Sequence, residues 1–184
     1  GLGDLIYTDA VNGLSFAIQT YPKLMRPSIT GALRATLARR GLESAYFPSV
    51  VLLRFMALNQ FSPDICRTEA MRAIEDTLFA EGVERTVYVL CIYALQDILR
   101  ANPGLVRQSM FNAIEKRLVL GGLGISGYHD IASLICSVAP CRPDLIRKST
   151  IDAVEIVLKT ENLDKVIYQN FAETLCAILR NRPD

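Results

Sequence analysis

Apolar residues recur along the chain with the period of an amphipathic α-helix, and no stretch shows the alternation that predicts a strand. In four segments they stand two, three, ten, eleven and fifteen residues after a proline, which places them on one helical face. These prolines and a fifth near the end are spaced by 41, 40, 40 and 40 residues: Pro22, Pro63, Pro103, Pro143 and Pro183. The pattern predicts an all-α chain built from a repeated module.

The segment after each of the first four prolines is predicted to form one helix of the module, helix B. Proline suits its first turn, where a backbone N–H would have no partner. A residue that tolerates left-handed backbone stands nineteen positions after each proline, where the helix should end: Gly41, Gly82, Gly122 and Asn162.

The segment before each proline is predicted to form helix A, which carries one tyrosine per repeat: Tyr7, Tyr46, Tyr88, Tyr128 and Tyr168. Pro48 interrupts the second A segment, so that helix is expected to start at Pro48 or to be shortened. The glycine-containing stretch 120–127 is expected to be an enlarged turn between helices B and A. It does not have the sequence of a phosphate-binding loop.

Alternating A and B helices predict a right-handed α-solenoid of about four and a half two-helix repeats. A single array is expected over 1–184, with repeats at approximately 3–41, 42–82, 83–122, 123–162 and a partial repeat at 163–184. Neighbouring repeats would cover each other and form one continuous core. The last A helix keeps an apolar outer face, so we expect further chain or a partner to cover it.

The B segments "SPDICRTEAMRAIEDTL", "NPGLVRQSMFNAIEKRL" and "RPDLIRKSTIDAVEIVL" resemble the second half of a HEAT repeat. Asp64 and Asp144 fill the acidic place of that motif, whereas Lys23 and Gly104 depart from it, and the A segments match poorly. The period and the Pro-x-Leu turn are also similar to heptatricopeptide and octotricopeptide arrays. The HEAT/armadillo resemblance implies a protein-binding scaffold, and the tricopeptide resemblance implies RNA binding in an organelle.

Composition narrows the class of protein. Hydrophobic residues make up 51% and charged residues 21%, which excludes a disordered chain, and the net charge of +1 shows no basic excess. Five cysteines without a CxxC spacing predict buried free thiols in a reducing compartment: the cytosol, the nucleus or an organelle matrix such as that of the mitochondrion. The longest apolar run, 87–95, is too short to cross a bilayer, so no membrane insertion is expected.

One charged feature repeats, an arginine four residues after each proline: Arg26, Arg67, Arg107 and Arg147. These guanidinium groups could line a groove and bind an acidic partner or phosphates. Alternatively, each arginine pairs with the acidic residue of the turn before helix B or with a carboxylate of the neighbouring repeat, and the pairs form an inter-repeat hydrogen-bond ladder. Candidate partners are the glutamates eight residues after the arginines: Glu75, Glu115 and Glu155. The ladder is the favoured hypothesis.

No catalytic or cofactor-binding constellation is visible. His129 is the only histidine, which excludes a multi-histidine metal site, and Cys136 and Cys176 stand at a position that takes Ser15 and Gln96 in other repeats. The tyrosines are expected in the core rather than as stacking platforms for bases.

The sequence therefore predicts a non-enzymatic scaffold or adaptor without cofactor or metal. It would mediate protein–protein interactions within a larger assembly. The alternative is an organellar RNA-binding or ribonucleoprotein-associated repeat protein.

Overall fold

The computed structural model describes residues 2–181, with side chains from residue 3 onward, and this part of the chain consists of helices joined by turns. It contains nine α-helices and no strand: α1 Leu2–Thr20, α2 Pro27–Ala38, α3 Glu43–Leu58, α4 Asp64–Phe79, α5 Arg85–Ala101, α6 Gln108–Leu120, α7 Gly124–Cys141, α8 Lys148–Leu158 and α9 Lys165–Asn181. Odd-numbered helices are the A helices and even-numbered helices are the B helices. The all-α prediction is confirmed.

The chain divides into two compact units, residues 1–101 and 102–184. In the first unit, helix α3 packs against both α1 and α5, and α2 packs along α4. Helix α3 also contacts α2 and α4, so it lies near B helices as well as near the other A helices. The largest side chains removed from solvent here include Tyr46, Leu52, Leu53, Met56 and Ile74.

In the second unit, helix α7 packs against α9, and α6 packs along α8. Helix α8 also contacts α9. Phe111 and Phe171 are fully buried, and the ring of Tyr128 meets Phe171 edge-on with the ring centroids 6.0 Å apart. Such pairs stabilise a core by about 1 kcal/mol beyond their buried area.

The predicted left-handed residues after the B helices are confirmed. Their φ angles are +79° at Gly41, +74° at Gly82, +77° at Gly122 and +57° at Asn162. Asn162 is the one residue other than glycine with positive φ among residues 2–181. Asparagine tolerates this region better than other side chains, which explains why it can replace glycine at this position.

The predicted start of helix B is correct in one repeat and wrong in three. Pro63 directly precedes α4, but the other prolines begin separate 3₁₀ turns: Pro22–Leu24, Pro103–Leu105 and Pro143–Leu145. A non-helical residue follows each turn and inserts its buried side chain into the core: Met25, Val106 and Ile146. The α-helix begins only after the arginine of the repeated column. In the first repeat Pro27 enforces this break, because the residue before a proline avoids helical backbone.

Helix α3 starts before Pro48, so the expected start at this proline is wrong. It is nevertheless the shortest A helix, with 16 residues against 17 to 19 in the others, which agrees with the alternative expectation of a shortened helix. Pro48 is the sixth residue of a helix that begins at Glu43, and its ring removes one backbone hydrogen bond. Buried residues on both sides, Tyr46 before it and Leu52 after it, hold the helix in place. Tertiary burial therefore outweighs the local cost of the proline.

The glycine stretch 120–127 does not form an enlarged turn. Helix α6 ends at Leu120 and α7 begins at Gly124, which leaves three connecting residues. Gly121, Gly122 and Gly124 all have positive φ, so the glycines allow a tight reversal.

Candidate functional site

The arginines of the repeated column lie at the starts of the B helices. Three of the four arginines are exposed, and each directly precedes the first residue of a B helix: Arg26, Arg107 and Arg147. Arg67 lies inside the first turn of α4 and pairs with the acid of its own turn, Asp64. Arg26 donates from Nη1 to the backbone oxygens of Lys23 and Met25, at 2.7 and 2.8 Å. Both of these arginines therefore bind groups of their own repeat.

Two of the glutamates expected to pair with these arginines have other partners. Glu115 is buried and accepts a hydrogen bond from the Thr150 hydroxyl, which connects α6 to α8. Glu155 binds Lys159, the residue that directly follows its helix, with Oε2 2.9 Å from Nζ, and this contact lowers the pKa of Glu155. The choice between a ladder and a partner-binding role for the arginine column stays a prediction.

Arg142, which is not one of the four arginines of the repeated column, makes an inter-repeat contact of the kind expected of that column. Its Nη1 donates to the backbone oxygens of Pro103 and Val106, at 2.8 and 3.1 Å, in the equivalent turn of the preceding repeat. Its Nε and Nη2 bind the two carboxylate oxygens of Asp144, at 2.9 and 2.7 Å. The bidentate hydrogen bond from Arg142 lowers the pKa of Asp144.

The tyrosines divide into buried and exposed members. Tyr46 and Tyr88 belong to the core, as expected, whereas Tyr168 is 54% exposed. The Tyr46 hydroxyl does not point into water: it donates to the backbone oxygen of Arg39 at 2.7 Å and lies 3.0 Å from Glu84 Oε1. Burial first, and then the hydrogen bond with Glu84, raises the pKa of Tyr46 to about 12.

A groove runs between helices α3 and α5 in the first unit, with a volume of about 400 Å³. We call it the α3–α5 groove, and its lining residues are Phe47, Val50, Val51, Arg54, Leu90, Tyr93, Ala94, Gln96, Asp97 and Arg100. Val50 and Ala94 are buried, while Phe47 and Tyr93 remain 63% and 48% exposed. Two large aromatic side chains beside an apolar cleft are typical of binding surfaces rather than of ordinary solvated helices.

The charged groups of the α3–α5 groove lie towards the carboxyl ends of its two helices. Asp97 binds Arg54 of the neighbouring helix through one oxygen and Arg100 of its own helix through the other. One carboxylate thus serves two guanidinium groups, and the Arg100 side chain is 65% exposed. The groove therefore combines an apolar cleft with a formal excess of one positive charge.

No match to a known protein assigns this groove a function. No protein-family model matches the chain, and neither a curated protein nor a solved structure matches it. The HEAT/armadillo resemblance therefore remains a prediction from the B segments.

Two further surfaces carry apolar residues. One lies between α1 and α2, where Tyr7, Val11 and Leu14 face Leu33. Arg39 closes its edge by donating to the Tyr7 hydroxyl at 2.7 Å, with the guanidinium carbon 5.4 Å from the ring centroid. The Arg39 guanidinium therefore makes a cation–π interaction with the Tyr7 ring. The other surface is one face of α9, lined by Tyr168, Ala172 and Cys176 together with polar residues.

The cysteines are all free, but their predicted burial is only partly correct. Cys66 and Cys91 are buried, Cys136 is half-buried, and Cys141 and Cys176 are exposed. Helix α9 buries the side chains on one of its faces: Ile167, Phe171, Thr174 and Ile178. Cys176 lies outside this face and is therefore exposed to solvent.

His129 and Cys136 have partners other than a shared metal ion. His129 Nδ1 lies 3.0 Å from Asn170 Nδ2, and Cys136 Sγ lies 3.4 Å from the Thr174 hydroxyl. Within residues 2–181 no group of three or more His, Cys, Asp or Glu side chains is arranged to hold a metal ion. In the same part of the chain, no helix has both the length and the hydrophobicity to span a membrane.

Proposed function

We propose that this protein is a non-enzymatic helical-repeat scaffold or adaptor that mediates protein–protein interactions within a larger assembly. The observation that supports this best is the α3–α5 groove, where Phe47 and Tyr93 are exposed beside the buried side chains of Val50 and Ala94. Aromatic residues that remain exposed at the edge of an apolar cleft are the usual anchors of a protein interface. The groove lies on two packed helices, which would hold its shape without a ligand.

The proposal includes the architecture predicted from the sequence, a right-handed HEAT/armadillo-like α-solenoid of about four and a half repeats. Its support is the packing inside each unit, where A helices lie against A helices and B helices against B helices. The positive φ angles after the B helices, at Gly82 and Asn162 for example, support equivalent turns in successive repeats. The free state of the five cysteines supports a reducing compartment.

The alternative is an organellar RNA-binding or ribonucleoprotein-associated protein. Such a role would use the tyrosines for base stacking, and stacking requires an accessible ring face. Tyr46 and Tyr88 are buried, with 1% and 0% exposure, so they cannot stack on bases in this fold. The balanced net charge of +1 also gives little general attraction for phosphates. Both observations favour a protein partner over RNA.

Quantitative affinity capture from native lysate tests the proposal. The baits are the wild-type chain, the groove variant Phe47→Ser/Tyr93→Ser and the control Phe16→Ser, whose aromatic side chain is 74% exposed outside the groove. We expect specific proteins to be lost with the groove variant, to be retained with the control, and to survive ribonuclease treatment.

Two results would contradict the proposal. Capture that ribonuclease abolishes would favour the RNA alternative. Equal capture by the wild-type chain and the groove variant would show that the groove is not the binding surface. Circular dichroism of each bait confirms that a loss of capture does not come from a loss of fold.

A further inference from the structure

The α3–α5 groove offers a partner two different attractions at a fixed separation. Each of its two exposed aromatic side chains stands seven residues before an arginine on the same helix, so the groove has an aromatic end and a charged end: Phe47 precedes Arg54 on α3, and Tyr93 precedes Arg100 on α5. With a rise of about 1.5 Å per helical residue, the two ends are roughly 10 Å apart. A single short segment of a partner can therefore contact both ends.

The charged end is electrostatically incomplete. Asp97 is shared between Arg54 and Arg100, whose side chains are 39% and 65% exposed, and the remaining lining residues carry no formal charge. An acidic group placed there would gain a guanidinium contact without displacing an existing carboxylate. A basic group there would meet two cations against one anion.

We propose that the α3–α5 groove binds a protein segment in which a carboxylate stands about 10 Å from a large apolar side chain. This inference rests on the proposed function, because it assumes that the groove is a protein-binding surface. In a helical partner the spacing corresponds to about two turns, and in an extended partner to about three residues. The apolar side chain fills the cleft beside Phe47 and Tyr93, and the carboxylate binds Arg100 or Arg54.

Selection from a random library of 12-residue peptides displayed on phage tests this. Peptides selected on the wild-type chain are first sorted by whether their binding disappears with Phe47→Ser/Tyr93→Ser. Groove-dependent peptides are expected to carry Asp or Glu together with a large apolar residue. They are then synthesised with a fluorescent label, alongside versions in which each acid is replaced by its amide.

Fluorescence polarisation with these labelled peptides then measures how much the charged groups of the groove contribute to the binding affinity. Arg100→Glu should weaken binding of the acidic peptides about threefold to fivefold, and their amide versions should lose this difference. Asp97→Asn should strengthen binding, a gain that an unfolded variant cannot produce. Arg72→Glu is the matched control: Arg72 is 54% exposed and, like Arg100, pairs with an acid three residues before it on its own helix. It should leave binding unchanged.

The outcomes separate this inference from the proposed function. Groove-dependent peptides that lack acids, or that are enriched in Lys and Arg, would overturn the charge inference and leave the groove as a protein-binding surface. If no selected peptide depended on the groove, both proposals would fail. Binding of a labelled 20-nucleotide RNA that Arg100→Glu abolishes and Arg72→Glu does not would also overturn both.

Discussion

Replacing Arg142 by alanine should destabilise the fold more than replacing any arginine of an exposed i,i+3 pair. The guanidinium donates to the backbone oxygens of Pro103 and Val106 and also binds Asp144. A hydrogen bond from a charged group contributes about 1.5–3 kcal/mol when shielded from water. Because the Arg142 side chain is 24% exposed, we discount this to about 1 kcal/mol for each carbonyl.

The ion pair with Asp144 adds little, because that carboxylate is 62% exposed and exposed pairs contribute at most about 1 kcal/mol. The expected loss for Arg142→Ala is therefore about 2 kcal/mol in the free energy of unfolding. For a chain of this size that corresponds to a melting temperature lower by roughly 4–8 °C.

Urea unfolding followed by circular dichroism at neutral pH measures this loss, and Arg72→Ala serves as the control. The control should change stability by less than about 0.5 kcal/mol, because Arg72 makes only an exposed pair with Glu69. A loss for Arg142→Ala no larger than that of the control would refute the reasoning. It would show that water replaces the guanidinium at the carbonyls without cost.

The pH dependence separates the two parts of this contribution. The folded-state pKa of Asp144 is lowered by its contact with Arg142, so the ion pair stabilises the fold above the unfolded-state pKa of this carboxyl. That part is lost as the pH falls through the lowered folded-state pKa. The carbonyl contacts do not titrate in this range, so most of the difference between wild type and Arg142→Ala should persist in acid.

Three further predictions concern the repeat geometry and the buried groups. Gly82→Ala should lower the free energy of unfolding by about 1–2 kcal/mol in urea, because a φ of +74° strains the alanine side chain. Asn162→Gly, at a φ of +57°, should leave the free energy of unfolding unchanged or raise it. An equal loss of stability in the two variants would contradict the view that both positions need a left-handed residue. The pKa of Tyr46 is raised to about 12, so its stabilising effect is complete below pH 10 and is lost as the pH rises towards 12. Tyr46→Phe should therefore flatten the alkaline loss of stability, and an unchanged profile would contradict this. Burial raises the pKa of Cys91 to about 12, so iodoacetamide should modify the exposed Cys141 in the native protein and Cys91 only after unfolding. Peptide mass spectrometry detects which cysteine is modified. Modification of Cys91 in the native protein would contradict its place in the core.

Features that depend on the local backbone could be predicted from the sequence. The left-handed residues Gly41, Gly82, Gly122 and Asn162 were identifiable because few residue types tolerate positive φ, and four of them stand at the same offset from a proline. The helical period of the apolar positions similarly identified the all-α class. Both signals are repeated along the chain and do not depend on distant contacts.

Features that depend on long side chains could not be predicted in this way. An arginine can reach acceptors in several directions, so the repeated column did not reveal that Arg26 binds its own turn. Arg142 occurs once at its offset among the first four repeats, where the other copies carry Tyr21, Ser62 and Asn102, and self-comparison gives such a residue no weight. Its role follows only from the close approach of two turns.

The α3–α5 groove could not be predicted from the sequence for a related reason. Arg54 stands eight residues after the tyrosine of its repeat, at a position occupied elsewhere by Ser15, Gln96, Cys136 and Cys176. Such a variable position appears uninformative when the repeats are compared for what they share. On the surface of a repeat protein, however, positions that differ between repeats are where one partner can be distinguished from another. Positions of the A helices that vary between repeats include those of Arg54 and Tyr93.

Site-specific photo-cross-linking tests the central claim, that the α3–α5 groove binds a protein, most directly. A benzophenone amino acid is placed at position 93 in the groove or, as the control, at position 16 on α1, where the native side chain is also exposed. After irradiation in native lysate, position 93 should yield a discrete protein adduct that resists ribonuclease, and position 16 should not. A ribonuclease-sensitive adduct at position 93, or the same adducts from both positions, would contradict the account.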